Sequence, residues 1–130
     1  MEFDIRFEGG KKINATFNGF TVQTDQPVAD GGENSAPGPF DLFLSALGTC
    51  AGFYVLSFCE ARKISTDNIR LSLLSDYHEE KGRLETVRIH IHLPDEFPEK
   101  YKKTLIRVVG QCSVKKAIMN PPEFQISTVP

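Results

Sequence analysis

The chain has 130 residues, of which 40% are hydrophobic and 25% charged, and a formal net charge of −2. That length suits one domain able to bury roughly two-thirds of its unfolded surface, and the balance excludes a disordered chain. Basic residues are dispersed apart from short pairs such as Lys102-Lys103 and Lys115-Lys116, which excludes the concentrated positive footprint of a nucleic-acid binder.

The N-terminal residues, MEFDIRFEGGKK, lack the basic start and apolar run of a signal peptide, so the expected location is cytoplasmic. Within them Phe3, Ile5 and Phe7 alternate with Glu2, Asp4, Arg6 and Glu8, a period-2 pattern that predicts a strand ended by Gly9-Gly10. Two further strands, about Ile13 to Phe17 and Phe20 to Thr24, meet at Asn18-Gly19, a dipeptide suited to the positive backbone angles of a tight hairpin. From Asp25 to Pro39 the chain holds three prolines, three glycines and few apolar residues. A loop of this length in a compact domain is either functional or a surface crossover.

A helix is predicted from Pro39 to about Lys63. Proline suits its first turn, Asp41 meets the positive end of the helix dipole, and Arg62 and Lys63 meet the negative end. It is apolar on nearly all sides and must be wrapped by other structure. Asp41, Ser45, Thr49 and Ser57 make it a core helix and not a membrane span. Gly48 and Gly52, four residues apart, lie on one face where another backbone could approach closely. Two strands follow, with Ile69, Leu71 and Leu73 in the first and Val87, Ile89, Ile91 and Leu93 in the second, separated by a turn at Lys81-Gly82. A second helix is expected at about Glu99 to Gly110, and a shorter one at about Ser113 to Met119 with Ser113 as its N-cap. Pro121-Pro122 stops that helix, and Phe124 to Val129 reads as a closing strand. The order β-β-β-α-β-β-α-α-β is an α+β pattern, with antiparallel sheets, helices on one side and a central buried helix, in a single domain spanning residues 1–130. A chain this short can scarcely cover the central helix on every side, so an intimate homodimer is expected.

Three cysteines without a secretory signal argue against a disulfide framework. Cys50 and Cys59 are nine residues apart in one helix, on opposite faces and roughly 13 Å apart along the axis. A disulfide needs Cα atoms within about 7 Å, so they are not partners, and Cys59 reads as a packed core thiol. Cys112 lies just before the last helix, where free amides and Lys115 and Lys116 favour a thiolate. On local chemistry either Cys50 or Cys112 could be the reactive one. His90 and His92 share a strand face at a spacing that can bind metal, but without a third ligand in view they read as an exposed polar face, and no metal is expected.

The run Gly38-Pro39-Phe40-Asp41-Leu42-Phe43-Leu44-Ser45-Ala46-Leu47-Gly48-Thr49-Cys50, after Gly31-Gly32-Glu33, resembles the P-x-[DE]-L-x-L-x-A-L-G-x-C signature of the OsmC/Ohr family of osmotically inducible and hydroperoxide-resistance proteins. Gln111-Cys112-Ser113-Val114, followed by Pro121-Pro122, resembles the family's second cysteine segment, and the order of elements matches over essentially the whole chain. The resemblance implies an OsmC-like fold, an intertwined homodimer and a site at the subunit interface. It implies that Cys50 is a peroxidatic thiolate, that Cys112 resolves the resulting sulfenic acid as a disulfide, and that a dithiol such as a lipoylated protein restores both. No metal or organic cofactor is implied, and neither nucleic acid nor membrane is an expected partner.

Two positions depart from the hydroperoxide reductases of that family. They place a glutamate directly after the proline that starts the helix, where this chain has Phe40 followed by Asp41. They also use an N-terminal arginine to hold the thiolate, where this chain offers Lys11 or Lys12. Asp41 or Glu33 could take the carboxylate role, although helix-start electrostatics and loop solvation explain these residues as well. The pattern is closer to the OsmC-like branch. Its alternative function is a binding or sensing module that takes a small thiol or electrophile without turning over peroxide.

Overall fold

The computed structural model describes residues 1–130 and divides into two units, Met1–Ser45 and Ala46–Pro130. In the first unit the alternating N-terminal sequence forms three antiparallel strands, β1 (Asp4–Phe7), β2 (Ile13–Phe17) and β3 (Phe20–Thr24), paired in the order β1-β2-β3. Asn18 and Gly19 have φ of 47° and 80°, the conformation that the hairpin between β2 and β3 requires. The register aligns Ile5 with Ala15 and Ala15 with Val22, so one face of this sheet is apolar. Phe17 lies 4.4 Å from Phe3 and 5.9 Å from Phe20 between ring centroids, which extends that face.

The loop from Asp25 to Gly38 is organised by its first residue. Asp25 is only 1% exposed, and its carboxylate accepts hydrogen bonds from the Gln26, Glu33 and Ser35 amides and from the Ser35 hydroxyl. A short 3₁₀ turn, Val28–Asp30, lies inside the resulting arch. Gly32 crosses it so closely that a Cβ there would sit 2.0 Å from the Gln26 carbonyl oxygen. These contacts answer the length of the loop: it is a built structure, with its backbone donors satisfied by a buried charge.

Helix α1 (Pro39–Ala61) follows. The Asp41 carboxylate accepts from the Gly38 amide at 2.9 Å, the backward-reaching half of a capping box. The helix ends two residues earlier than charge alone suggests, because a Schellman motif closes it. The Ile64 amide donates to the Cys59 carbonyl and the Lys63 amide to that of Glu60, with Lys63 at φ 56°. The Arg62 guanidinium lies 3.6 Å from the Phe58 ring centroid and donates to the Phe58 carbonyl.

In the second unit β4 (Arg70–His78) and β5 (Arg83–His92) form a two-stranded antiparallel ribbon, with a bulge at Asp76/Tyr77. Leu71 and Ile91 are cross-strand partners, as are Leu73 and Ile89. Leu71, Ile89 and Ile91 pack on a core of Ala51, Val55, Phe58, Cys59, Phe97, Leu105 and Val109. A 3₁₀ turn (Glu99–Tyr101) leads into α2 (Lys102–Val109), and α3 (Ser113–Met119) completes the elements. The buried positions of α1 in this unit, Leu47, Ala51, Val55, Phe58 and Cys59, form one stripe at helical spacing. Phe53, on the other side, is 63% exposed. Helix α1 is long and apolar enough to cross a membrane by length and composition, and its buried stripe packs in this core.

Three expectations need correction. Phe124 to Val129 forms no strand, because it pairs with neither sheet and its large apolar side chains are exposed. Ser113 is the first residue of α3 and not its cap; Cys112 holds that position, and the Ser113 hydroxyl is engaged elsewhere. Gly52 has no atom within 4 Å of its Cβ position, so no backbone of this chain approaches it, and at Gly48 the neighbour is the Leu73 side chain.

Leu105 is fully buried, and Leu105→Ala is expected to cost about 2–5 kcal/mol in urea unfolding. The Asp25 carboxyl is held well below the ordinary value of 3.8, first by the Ser35 hydroxyl and then by the Ser35 and Gln26 amides. Its contribution to stability is therefore complete above that ordinary value and is lost as pH falls through the folded one. Asp25→Asn is expected to lower Tm at neutral pH, and thermal melts should show the deficit against the native chain shrinking as pH drops into the acid range.

Candidate active site

Cys50 lies in the middle of α1, and Cys112 lies at the junction of α2 and α3. The junction is a tight turn. The Gly110, Gln111 and Cys112 amides donate to the carbonyls of Ile106, Val108 and Val109, and the Lys116 amide picks up the Cys112 carbonyl to begin α3. This geometry turns the Cys112 side chain inward, where it is 2% exposed, while Cys50 is half-buried. The fold brings the two thiols, sixty-two positions apart in sequence, close enough that each bears on the titration of the other, and neither is in a disulfide.

Their environments are unequal. The Cys112 thiol, and after it the backbone amides of Val114 and Ser113, favour the Cys50 thiolate as neighbouring donors. The Cys112 donation is the largest influence. Together these donors outweigh burial and hold the Cys50 thiol below its ordinary value. Cys112 is pushed up, chiefly by burial and then by its role as donor to Cys50, against weaker help from the Lys115 and Val114 amides. Sequence placed the activating amides beside Cys112, whereas the fold delivers two of them to Cys50. Two free thiols whose titrations are driven apart, Cys50 toward its thiolate and Cys112 away from it, have the chemistry to exchange with each other and with a small electrophile.

Cys59 is fully buried in the core and is pushed up by desolvation, partly offset by Arg62. It is packed as expected for a core thiol. The charged candidates have local engagements: Asp41 caps α1, and Glu33 forms a 2.7 Å ion pair with Lys12. The Lys11 side chain passes Gly31, with its Cε 3.3 Å from the position a Cβ would take there. His90 and His92 are exposed, and His92 Nε2 lies 2.8 Å from the Ser72 hydroxyl. Two further side chains stand at this site: Tyr54, which sequence reading did not single out, and Ser113, which it read only as a helix cap. The Tyr54 hydroxyl lies 3.1 Å from that of Ser113, and Tyr54 is one helical turn beyond Cys50. Helical spacing from Cys50 could have pointed to Tyr54.

The sequence profile described as OsmC-like protein matches residues 32–127, a span that includes Cys50 and Cys112. This chain belongs to the OsmC-like family. Solved structures agree on the fold. One is a Psychrobacter arcticus 273-4 protein named for osmotic stress induction and detoxification response, with a TM-score of 0.77 and 20% identity over 88% of this chain and 85% of that one. Another is an organic hydroperoxide resistance protein of Legionella pneumophila, with a TM-score of 0.61 and 21% identity over 91% and 89%. A third is an organic hydroperoxide resistance protein of Bacillus subtilis, with a TM-score of 0.59 and 16% identity over 93% of each chain. At these identities the likeness is one of fold. No curated protein matches the chain in sequence.

For this OsmC-like protein the unequal thiols yield a direct expectation. Iodoacetamide should label Cys50 at lower pH than Cys112 or Cys59, as followed peptide by peptide in a mass spectrometer. Cys112→Ala, which removes the largest stabilising donor, should move the Cys50 midpoint upward.

Proposed function

We propose that this OsmC-like protein reduces hydroperoxides by a two-cysteine cycle, with Cys50 as the peroxidatic and Cys112 as the resolving residue. The observation that carries the reading is the pairing of two free thiols driven in opposite directions, Cys50 downward by the Cys112 thiol and the Ser113 and Val114 amides and Cys112 upward by burial. The Cys50 thiolate attacks the terminal oxygen of ROOH, the O–O bond breaks, and ROH leaves after taking a proton from water. Cys50 is then a sulfenic acid. The Cys112 sulfur displaces its hydroxyl as water, which forms the Cys50–Cys112 disulfide. A dithiol, such as a lipoylated protein, reduces that disulfide by exchange and is itself oxidised. In sum, ROOH and one dithiol give ROH, water and one cyclic disulfide, without a metal or organic cofactor.

The hydroperoxide-resistance proteins among the solved structures of this fold support small oxidised molecules as the substrate class. A homodimer is part of the reading. Its support is the exposed apolar surface, with Ile5, Phe7 and Phe20 on the first sheet and Phe53 and Leu56 on α1. We place the protein in the cytoplasm, where a reducing environment keeps its three thiols free.

Purified protein should turn over cumene hydroperoxide, hydrogen peroxide or a lipid hydroperoxide with dihydrolipoamide as reductant, in a coupled assay. Cys50→Ser and Cys112→Ser should each abolish turnover, and mass spectrometry should find the Cys50–Cys112 disulfide after peroxide treatment of the native chain. Labelling of Cys50 by electrophiles at one per chain, with no turnover of any peroxide, would replace this reading with the sensing or binding one. The local engagement of Asp41, Glu33 and Lys12 favours that second reading, since these charges already serve the loop and the helix start.

A further inference from the structure

Tyr54 and Ser113 stand beside the two thiols with no role in the cycle described above. Their hydroxyl oxygens are 3.1 Å apart. Tyr54 follows Cys50 by four residues on α1, so both side chains rise from one helix face, a turn apart. Ser113 also follows Cys112 directly, and its backbone amide is among the neighbours that favour the Cys50 thiolate. One residue of α3 thus meets α1 twice, through its amide beside Cys50 and through its hydroxyl bond to Tyr54.

The second hold matters because α3 has little else to fix it. It is seven residues long and has no buried residue. A short, exposed segment opens at low free-energy cost, and each contact that ties it down carries a large share of its order. Rotation of α3 about Cys112 would turn the Ser113 and Val114 amides away from the sulfur they serve. The Tyr54 hydroxyl opposes that rotation from a rigid helix, and a phenol is well suited to the task because its two side-chain torsions are fixed by packing. Tyr54 is itself partly buried against the core beneath the site.

We propose that Tyr54 is a positioning residue for Cys50: through its bond to Ser113 it keeps the Ser113 and Val114 amides directed at the Cys50 sulfur. The inference deepens the proposed cycle, resting on Cys50 as its reactive thiol, and it is tested without peroxide.

The experiment is the pH profile of Cys50 alkylation by iodoacetamide, read peptide by peptide in the full-length reduced protein, for the native chain, Tyr54→Phe, Ser113→Ala and the double variant. Each single change is expected to move the Cys50 midpoint upward and to slow labelling at neutral pH about three- to tenfold, the scale of one hydrogen bond. The double variant should be no slower than the slower single, because both changes remove the same bond. An unchanged midpoint in Tyr54→Phe overturns the proposal, and so do independent, multiplying losses in the double variant. Cys59, buried in the core, reports folding in the same spectra and should label slowly throughout. Should Tyr54→Phe expose Cys59, Ser113→Ala decides, since it deletes the same bond by a smaller change, and an unchanged profile there overturns the proposal. A shifted midpoint alongside a complete lack of peroxide turnover in the native chain would sink the peroxide reading and leave the positioning role of Tyr54 standing.

Discussion

A sulfur that is to hold negative charge away from bulk water needs donors that are already in place, and this structure supplies them at Cys50 from a single turn of chain. The Cys112 thiol and the amides that follow it converge there. Backbone donors of this kind are fixed by the φ/ψ angles of the segment and need no side-chain ordering. The same turn buries Cys112 and so raises the thiol that must keep its proton. One local arrangement therefore drives the two cysteines in opposite directions, and the division of roles in the proposed cycle follows from it. The rest of the second unit holds the two chain segments in contact. Ala51 and Val55, beside and one turn beyond Cys50, pack in the same core as Leu105 and Val109 of the helix that leads to Cys112.

The charges of the first unit are used differently. Asp25 collects four donors and closes the loop over itself, Lys12 pairs with Glu33 across the same region, and Asp41 caps α1. A carboxylate with several amide donors is firmly anchored, since moving it would leave buried N–H groups without partners. The long Pro- and Gly-rich segment is thus a built structure within the first unit, and not a slack crossover. Gly32 shows how tightly it is drawn, for no larger residue fits against the Gln26 carbonyl.

Much of the architecture was legible from short-range pattern. Period-2 alternation marked β1, Asn18-Gly19 marked the hairpin, and Pro39 with Asp41 marked the start of α1. The end of α1 was misjudged by two residues because a Schellman turn with a lysine in the left-handed conformation carries no glycine to announce it. The stretch from Phe124 to Val129 has the composition of a strand but pairs with neither sheet, and composition does not say which edge a strand would join. Apolar residues all round α1 suggested complete burial, yet one chain covers only one stripe of it.

The site divides along the same line. Sequence by itself determined which residues are chemically capable, namely three thiols, two of them in segments that resemble known signatures and one on the apolar side of a helix. It also determined that Cys50 and Cys59 face apart, because helix geometry is local. Only tertiary structure decided that Cys50 and Cys112 are neighbours, that the amides after Cys112 bear on the other cysteine, and that Tyr54 reaches Ser113. Each of these depends on the angle at which two helices remote in the chain come together. That angle is set by the packing of Ala51, Val55, Leu105 and Val109, a sum of many weak contacts that no local pattern encodes.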